Sequence, residues 1–111
     1  MGEFYGVDSG ALREDLRWLR HRLFAEHDYR NQEVIDRLYS VRERADTIDH
    51  AQQAGGLTTW HGLSMWSDAL AKAMETYRDK HPEGAPFPFH TEPGTFGIYA
   101  GQAEQELPAD E

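Results

Sequence analysis

Apolar positions recur along the first half of the chain with helical spacing. Leu12, Leu16, Leu19 and Leu23 are separated by four, three and four residues, as one face of a 3.6-residue period requires. A second run obeys the same rule. Val34, Leu38, Val41, Ala45 and Ile48 form its stripe, with Ile35 beside it. From Ala11 to Ala54 there is neither Gly nor Pro, the residues that break helices through backbone freedom and a missing N–H donor. Asp8 or Ser9 offers an oxygen to cap the first free amides, and Gly55 is the natural stop.

Between the two runs the stripe passes through His27 and Arg30, and two readings fit. Glu26 with Arg30 and Glu33 with Arg37 are i,i+4 pairs that each add about 0.2–0.5 kcal/mol to helix continuity, too little to decide. Region 9–54 is therefore either one bent or continuous rod, about 65 Å long at 1.5 Å per residue, or two helices jointed near Asp28. A rod of that length would exceed a lone globule of 111 residues and imply a partner.

A hinge over 55–62, built on Gly55, Gly56, Trp60 and Gly62, leads into a second helix over 63–81 whose opening turn begins near Thr58 or Thr59. Pro82 ends it, because proline disfavours helical geometry in the residue before it. Leu63, Trp66, Leu70, Met74 and Tyr77 form its expected inward face. The fold class is all-α: a helical hairpin domain over 1–81, with an arm at 1–8, followed by an extended tail over 82–111. All five prolines lie from Pro82 onward, and the tail carries six acids with no Lys or Arg. It also keeps Phe87, Phe89, Phe96, Ile98 and Tyr99, and Thr95–Tyr99 suits a short strand. Aromatics spaced along a strap need a surface, either the chain's own hairpin or a neighbouring subunit.

Charge narrows the partners. Twenty Asp and Glu against 11 Lys and Arg give a net charge of -9, which repels phosphate backbones and anionic headgroups. Neither nucleic acid nor membrane insertion is expected. The chain has no cysteine, so disulfides and thiolate chemistry are excluded. Met1 to Gly10 has no basic n-region, and no apolar run approaches the roughly 18 residues of a spanning helix. A soluble protein without a Sec-type signal peptide, cytoplasmic or particle-associated, is the expectation.

Candidate chemistry is sparse. Asp46 and His50 have the i,i+4 spacing of two metal ligands, but nothing in the sequence identifies a third. Ser9, Ser40, Ser64 and Ser67 lie in no nucleophile elbow. Gly55-Gly56 leads into Leu57-Thr58-Thr59-Trp60 without a phosphate-binding lysine. No catalytic residue, cofactor or metal is assigned, and a small metal-dependent helical enzyme is the minor alternative. Arg13, Arg17 and Arg20 share a helical stripe suited to carboxylates, and the acidic tail of this chain or an adjacent copy is the natural counterpart. The surfaces expected to meet protein partners are thus Leu12, Leu16, Leu19 and Leu23, these three arginines, and the tail aromatics Phe87, Phe89, Phe96 and Tyr99. The function expected is that of a non-enzymatic structural or adaptor subunit, oligomerising or docking within a larger assembly such as a virion, a tail or a secretion-type complex.

Trp60-His61-Gly62, between two helical stretches, resembles the signature of the WXG family, small helical hairpins exported by type VII secretion systems. Val7-Asp8-Ser9-Gly10-Ala11-Leu12-Arg13 is similar to the entry of that family's first helix, and Trp66 to Tyr77 occupies its second; the likeness covers roughly residues 7 to 80. It implies a hairpin dimer in which Trp60 and Gly62 form the turn, and export by a type VII-like route. The first helical stretch is longer than in that family. Its export signal, Tyr followed four positions later by an acid, is met by neither Tyr77, with His81, nor Tyr99, with Ala103; Tyr29 and Glu33 have the spacing in the wrong helix.

Overall fold

The computed structural model describes residues 3–52, 58–87 and 97–108. Two short strands, β1 (Glu3–Phe4) and β2 (Val7–Asp8), pair antiparallel around a turn in which Tyr5 and Gly6 both take positive φ. The arm at 1–8 thus contains a hairpin that the sequence did not announce. Asp8 then caps α1 (Ser9–Arg20), its carboxylate accepting from the Ala11 N–H at 3.0 Å.

Residues 9–52 form two helices with a joint. After Arg20 the helix widens into a π-type turn over His21–Ala25, where the Glu26 N–H reaches the His21 carbonyl. His27 leaves it with φ of 52°. Asn31 then starts α2 (Gln32–Gln52), its side-chain oxygen accepting from the Glu33 N–H at 2.9 Å. The expected Glu26–Arg30 pair does not form, because Glu26 turns back to its own helical turn and Arg30 reaches the chain beyond the end of the later long helix. Glu26 binds Arg22 at 3.1 Å, while Arg30 donates to the carbonyls of Ala85 and His81. The continuous rod is therefore not adopted, and the molecule measures 44 × 30 × 22 Å.

Thr58 caps α3 (Thr59–Lys80), its hydroxyl accepting from the His61 N–H. With that cap in place, Trp60 and Gly62 lie inside the first turns of α3 instead of forming the expected hinge. Gly55 and Gly56 fall outside the described residues. Helices α2 and α3 run antiparallel, and partners descend one as they ascend the other: Asp49 with Thr58, Asp46 with Ser64, Arg42 with Asp68, Tyr39 with Glu75, and Gln32 with Arg78. The hairpin expected from the sequence is this α2–α3 pair, with α1 laid against it.

The core joins both stripes. Leu12, Leu16, Leu19 and Leu23 are fully buried, as are Val34, Ile35, Leu38, Val41, Ala45 and Ile48, with Trp60, Leu63 and Met74 facing them from α3. The leucine stripe is thus interior to its own chain, a correction to the expectation that it meets a partner. The inward face of α3 is also rotated from the one expected, running through Trp60, Leu63, Ser67, Leu70, Ala71 and Met74, while Trp66 points outward. Ser67 is tolerated inside because its hydroxyl donates to the Leu63 carbonyl at 2.8 Å.

Among the described residues the tail is not extended throughout. Ile98–Glu106 forms a fourth helix, α4, which packs on α3 and α1. Ala100, Ala103 and Leu107 recur at helical spacing and are buried, so this segment has a small apolar stripe of its own in place of the expected strand.

Candidate interaction surface

The arginine strip of α1 is occupied by α4 of the same chain. Arg20 Nη2 lies 2.7 Å from Glu104 Oε1, a close ion pair off hydrogen-bond alignment, with the more exposed Arg17 at 4.0 Å. Arg13 reaches past the end of the helix and donates to the carbonyls of Leu107 and Pro108 at 3.3 and 2.7 Å. Those two carbonyls stand at the negative end of α4, so a guanidinium there also complements the helix dipole.

Trp60 and Gly62 set the position of α4 from the other side. The Trp60 indole is wholly buried, touches Phe4 at a ring separation of 5.8 Å, and donates its N–H to Glu106 at 3.0 Å. A buried indole needs such an acceptor. Gly62 is the point of closest approach: a Cβ there would stand 2.3–2.8 Å from atoms of the Tyr99 ring. Its absence of side chain is what lets Tyr99 lie on α3.

Beyond Tyr99 the outer face of α3 is open. Met65 is 58% exposed and Trp66 36%, next to a notch of about 440 Å³ lined by Thr59, His61, Gly62, Tyr99 and Gln102. Residues at three- and four-residue steps along this face continue with Ala69, Lys72, Ala73, Thr76 and Lys80. A shallower hollow of about 310 Å³ lies over Ala73, Thr76 and Tyr77, with Lys72 and Lys80 at its edges. Adjacent exposed Met and Trp side chains are unusual on a surface otherwise rich in charge, and apolar patches rimmed by polar groups mark contact sites.

The other expected contact residues are placed as follows. Phe87 stacks on Tyr29 at 5.0 Å and meets Tyr77 edge-on at 5.5 Å, so it ties the end of α3 to the joint in its own chain. Phe89 and Phe96 lie outside the described residues. The His50 ring sits against the Asp46 backbone carbonyl, and the Asp46 carboxylate accepts from Ser64 and pairs with Arg42. Among the described residues no cluster of three or more His, Cys, Asp or Glu stands together as a metal site, and no helix is long and apolar enough to cross a membrane. Tyr39 has its pKa raised from 10.0 to about 12, chiefly by donating to Glu75 at 2.5 Å and then by burial.

Sequence reasoning missed α4 and the outward Trp66. The signal for α4 was present in Ala100, Ala103 and Leu107, masked by the prolines and acids around it. For Trp66 the local signal was ambiguous, since Leu63, Leu70 and Met74 can be joined into an apolar face with either tryptophan, although the two lie on different sides of the helix. Comparison with protein-family models, with curated proteins and with solved structures finds no match. The WXG resemblance accordingly stands on its motif residues alone.

Proposed function

We propose that this chain is a non-enzymatic adaptor subunit of a larger protein assembly, and that it docks through the outer face of α3 and the notch beside Tyr99. The observation that carries the reading is the exposed Met65–Trp66 pair. The apolar stripes of α1 and α2 are satisfied internally, so the docking role moves from those stripes to the face left open. Water-exposed indole and thioether groups gain more from burial in a contact than the arginines and carboxylates elsewhere on the surface. Virion, tail and secretion-type assemblies are the settings proposed.

A WXG-type hairpin is the second reading. It is favoured by the antiparallel α2–α3 pair and by Trp60 buried near the end where the two helices connect.

A photo-crosslinking amino acid at Met65, introduced in cells that naturally carry the chain, tests the docking surface. A discrete adduct from position 65 and none from Ser40, exposed on α2, is the expected result. Equal, diffuse labelling from both positions would overturn it.

A further inference from the structure

We infer that α4 is a replaceable plug, and that the groove beneath it, between α1 and α3, docks an acidic amphipathic helix of a partner protein in its place. The groove lies under α4 and not on the outer face of α3, so the inference stands without the docking surface proposed above.

The walls of the groove are fixed independently of α4. The α1 wall is anchored by the buried Leu12, Leu16 and Leu19, and it presents Arg13, Arg17 and Arg20. The α3 wall starts from the Thr58 cap and presents the Trp60 indole N–H and the bare backbone at Gly62. These groups specify an occupant. Arginines in a row take carboxylates, a buried indole needs an acceptor, and a gap without a Cβ admits a ring. Helix α4 answers them with Glu104, Glu106 and Tyr99. A partner helix with two carboxylates and an aromatic at the same spacing answers them equally.

Helix α4 is weak at points where the packing demands no weakness. Gly101 stands inside it, and among the described residues a Cβ there would meet only Arg20 Nη1, at an ordinary 3.8 Å. Glycine inside a helix costs stability against alanine, and no close approach requires it here. Gly62 shows the contrast, since its Cβ would strike the Tyr99 ring. The entry to α4 at Gly97 has no side-chain cap, whereas Asp8, Asn31 and Thr58 cap α1, α2 and α3. Glu104 Oε1 is buried beside Arg20 without a hydrogen bond. A permanent strut gains nothing from such defects, while a plug that has to leave depends on them. A better-formed helix carrying the same acids therefore outcompetes α4 for the groove.

Plug and partner exclude one another, so the partner's apparent affinity is its intrinsic affinity multiplied by the fraction of chains with α4 undocked. Binding is thereby linked to Gly101, a residue the incoming helix never touches.

The test is a fluorescein-labelled peptide of residues 97–108 carrying Gly101→Ala, titrated by fluorescence anisotropy into three full-length chains. Ala100→Asp with Ala103→Asp charges the buried side of α4 and leaves every groove residue in place; affinity should rise at least about tenfold over the unaltered chain. Gly101→Ala in the chain strengthens the plug and should lower affinity about fivefold. A peptide with Glu104→Lys and Glu106→Lys should bind at least about tenfold more weakly. If circular dichroism shows the double variant unfolded, Gly101→Ala against the unaltered chain decides alone, since both keep α4 docked. Binding to none of the folded chains, equal affinity for the unaltered and Gly101→Ala chains, or equal binding of the charge-reversed peptide would overturn the inference. A concentration-dependent dimer of the unaltered chain in sedimentation, lost in Gly101→Ala, would give the groove to α4 of a second copy and overturn the partner assignment.

Discussion

Helix α3 is held on one side by α2 and on another by α4, and the two contacts are made of different material. Against α2 it buries large aliphatic side chains, with Val34, Leu38, Val41 and Ile48 opposed by Leu63 and Met74. Against α4 it meets the Tyr99 ring at Gly62 and the smaller stripe of two alanines and a leucine. The remaining hold on α4 comes from polar ties: Trp60 to Glu106, Arg20 to Glu104, and Arg13 to two terminal carbonyls. Burial contributes about 0.8 kcal/mol per methylene, whereas a partly exposed ion pair contributes about 0–1 kcal/mol. The hairpin therefore sets global stability, and α4, with nine residues and little propensity to form a helix alone, opens first. One helix can thus belong to a permanent core on one face and to a weaker, salt-sensitive contact on the other.

Trp60 belongs to both contacts, so its loss should break the comparison most. Trp60→Ala removes a fully buried indole and the donor to Glu106, and should destabilise the fold by about 3–5 kcal/mol in urea or thermal melts. Amide exchange should rise in α3 and α4 together. A loss below about 1 kcal/mol would mean that the indole is not the junction described.

Gly62→Ala sharpens the distinction. The added methyl collides with the Tyr99 ring and should weaken α4 docking by about 1–3 kcal/mol, even though Ala is the better helix former by about 1 kcal/mol. Hydrogen exchange should speed up across 98–106 while α2 stays protected. Tyr99→Ala in the same chain should remove the penalty.

Alkaline pH probes the hairpin alone. The folded pKa of Tyr39 is raised to about 12 from 10.0, because the neutral phenol donates to Glu75. Its contribution is complete below pH 10 and is lost as the pH rises through 12. Tyr39→Phe should lower stability by about 1 kcal/mol at neutral pH and flatten the fall between pH 10 and 12. Equal slopes for both proteins would remove Tyr39 from that role.

The smallest effect belongs to the ion pair on α4. Glu104→Gln should cost about 0.5 kcal/mol, visible as faster exchange in α4 at low ionic strength and vanishing by about 0.5 M salt as the charges are screened. No difference at low salt would leave the buried alanines and the Trp60–Glu106 bond as the hold on α4.

Particular residues show why some features were legible and others were not. Asp8 was recognisable as one of two candidate caps and Thr58 as one of two candidate helix starts, because capping is local, a side-chain oxygen facing amides two or three residues on. The leucine run was recognisable because spacing fixes which residues share a face. The joint at 26–31 was ambiguous, since it depended on Arg30 reaching carbonyls more than fifty positions away. The arginine strip and the acidic tail as its counterpart were readable, and the helical form of that tail was not, because weak helical propensity is overridden only when a surface is supplied.

By itself the sequence determined the apolar stripes of α1 and α2, the proline stop after α3 and the acidic balance, all set by neighbours a few residues apart. Tertiary structure alone decided which tryptophan went inside, and that the leucine stripe closes within the chain beneath α4. Burial is a relation between distant segments: the free energy gained depends on the surface that arrives opposite, which no local window contains.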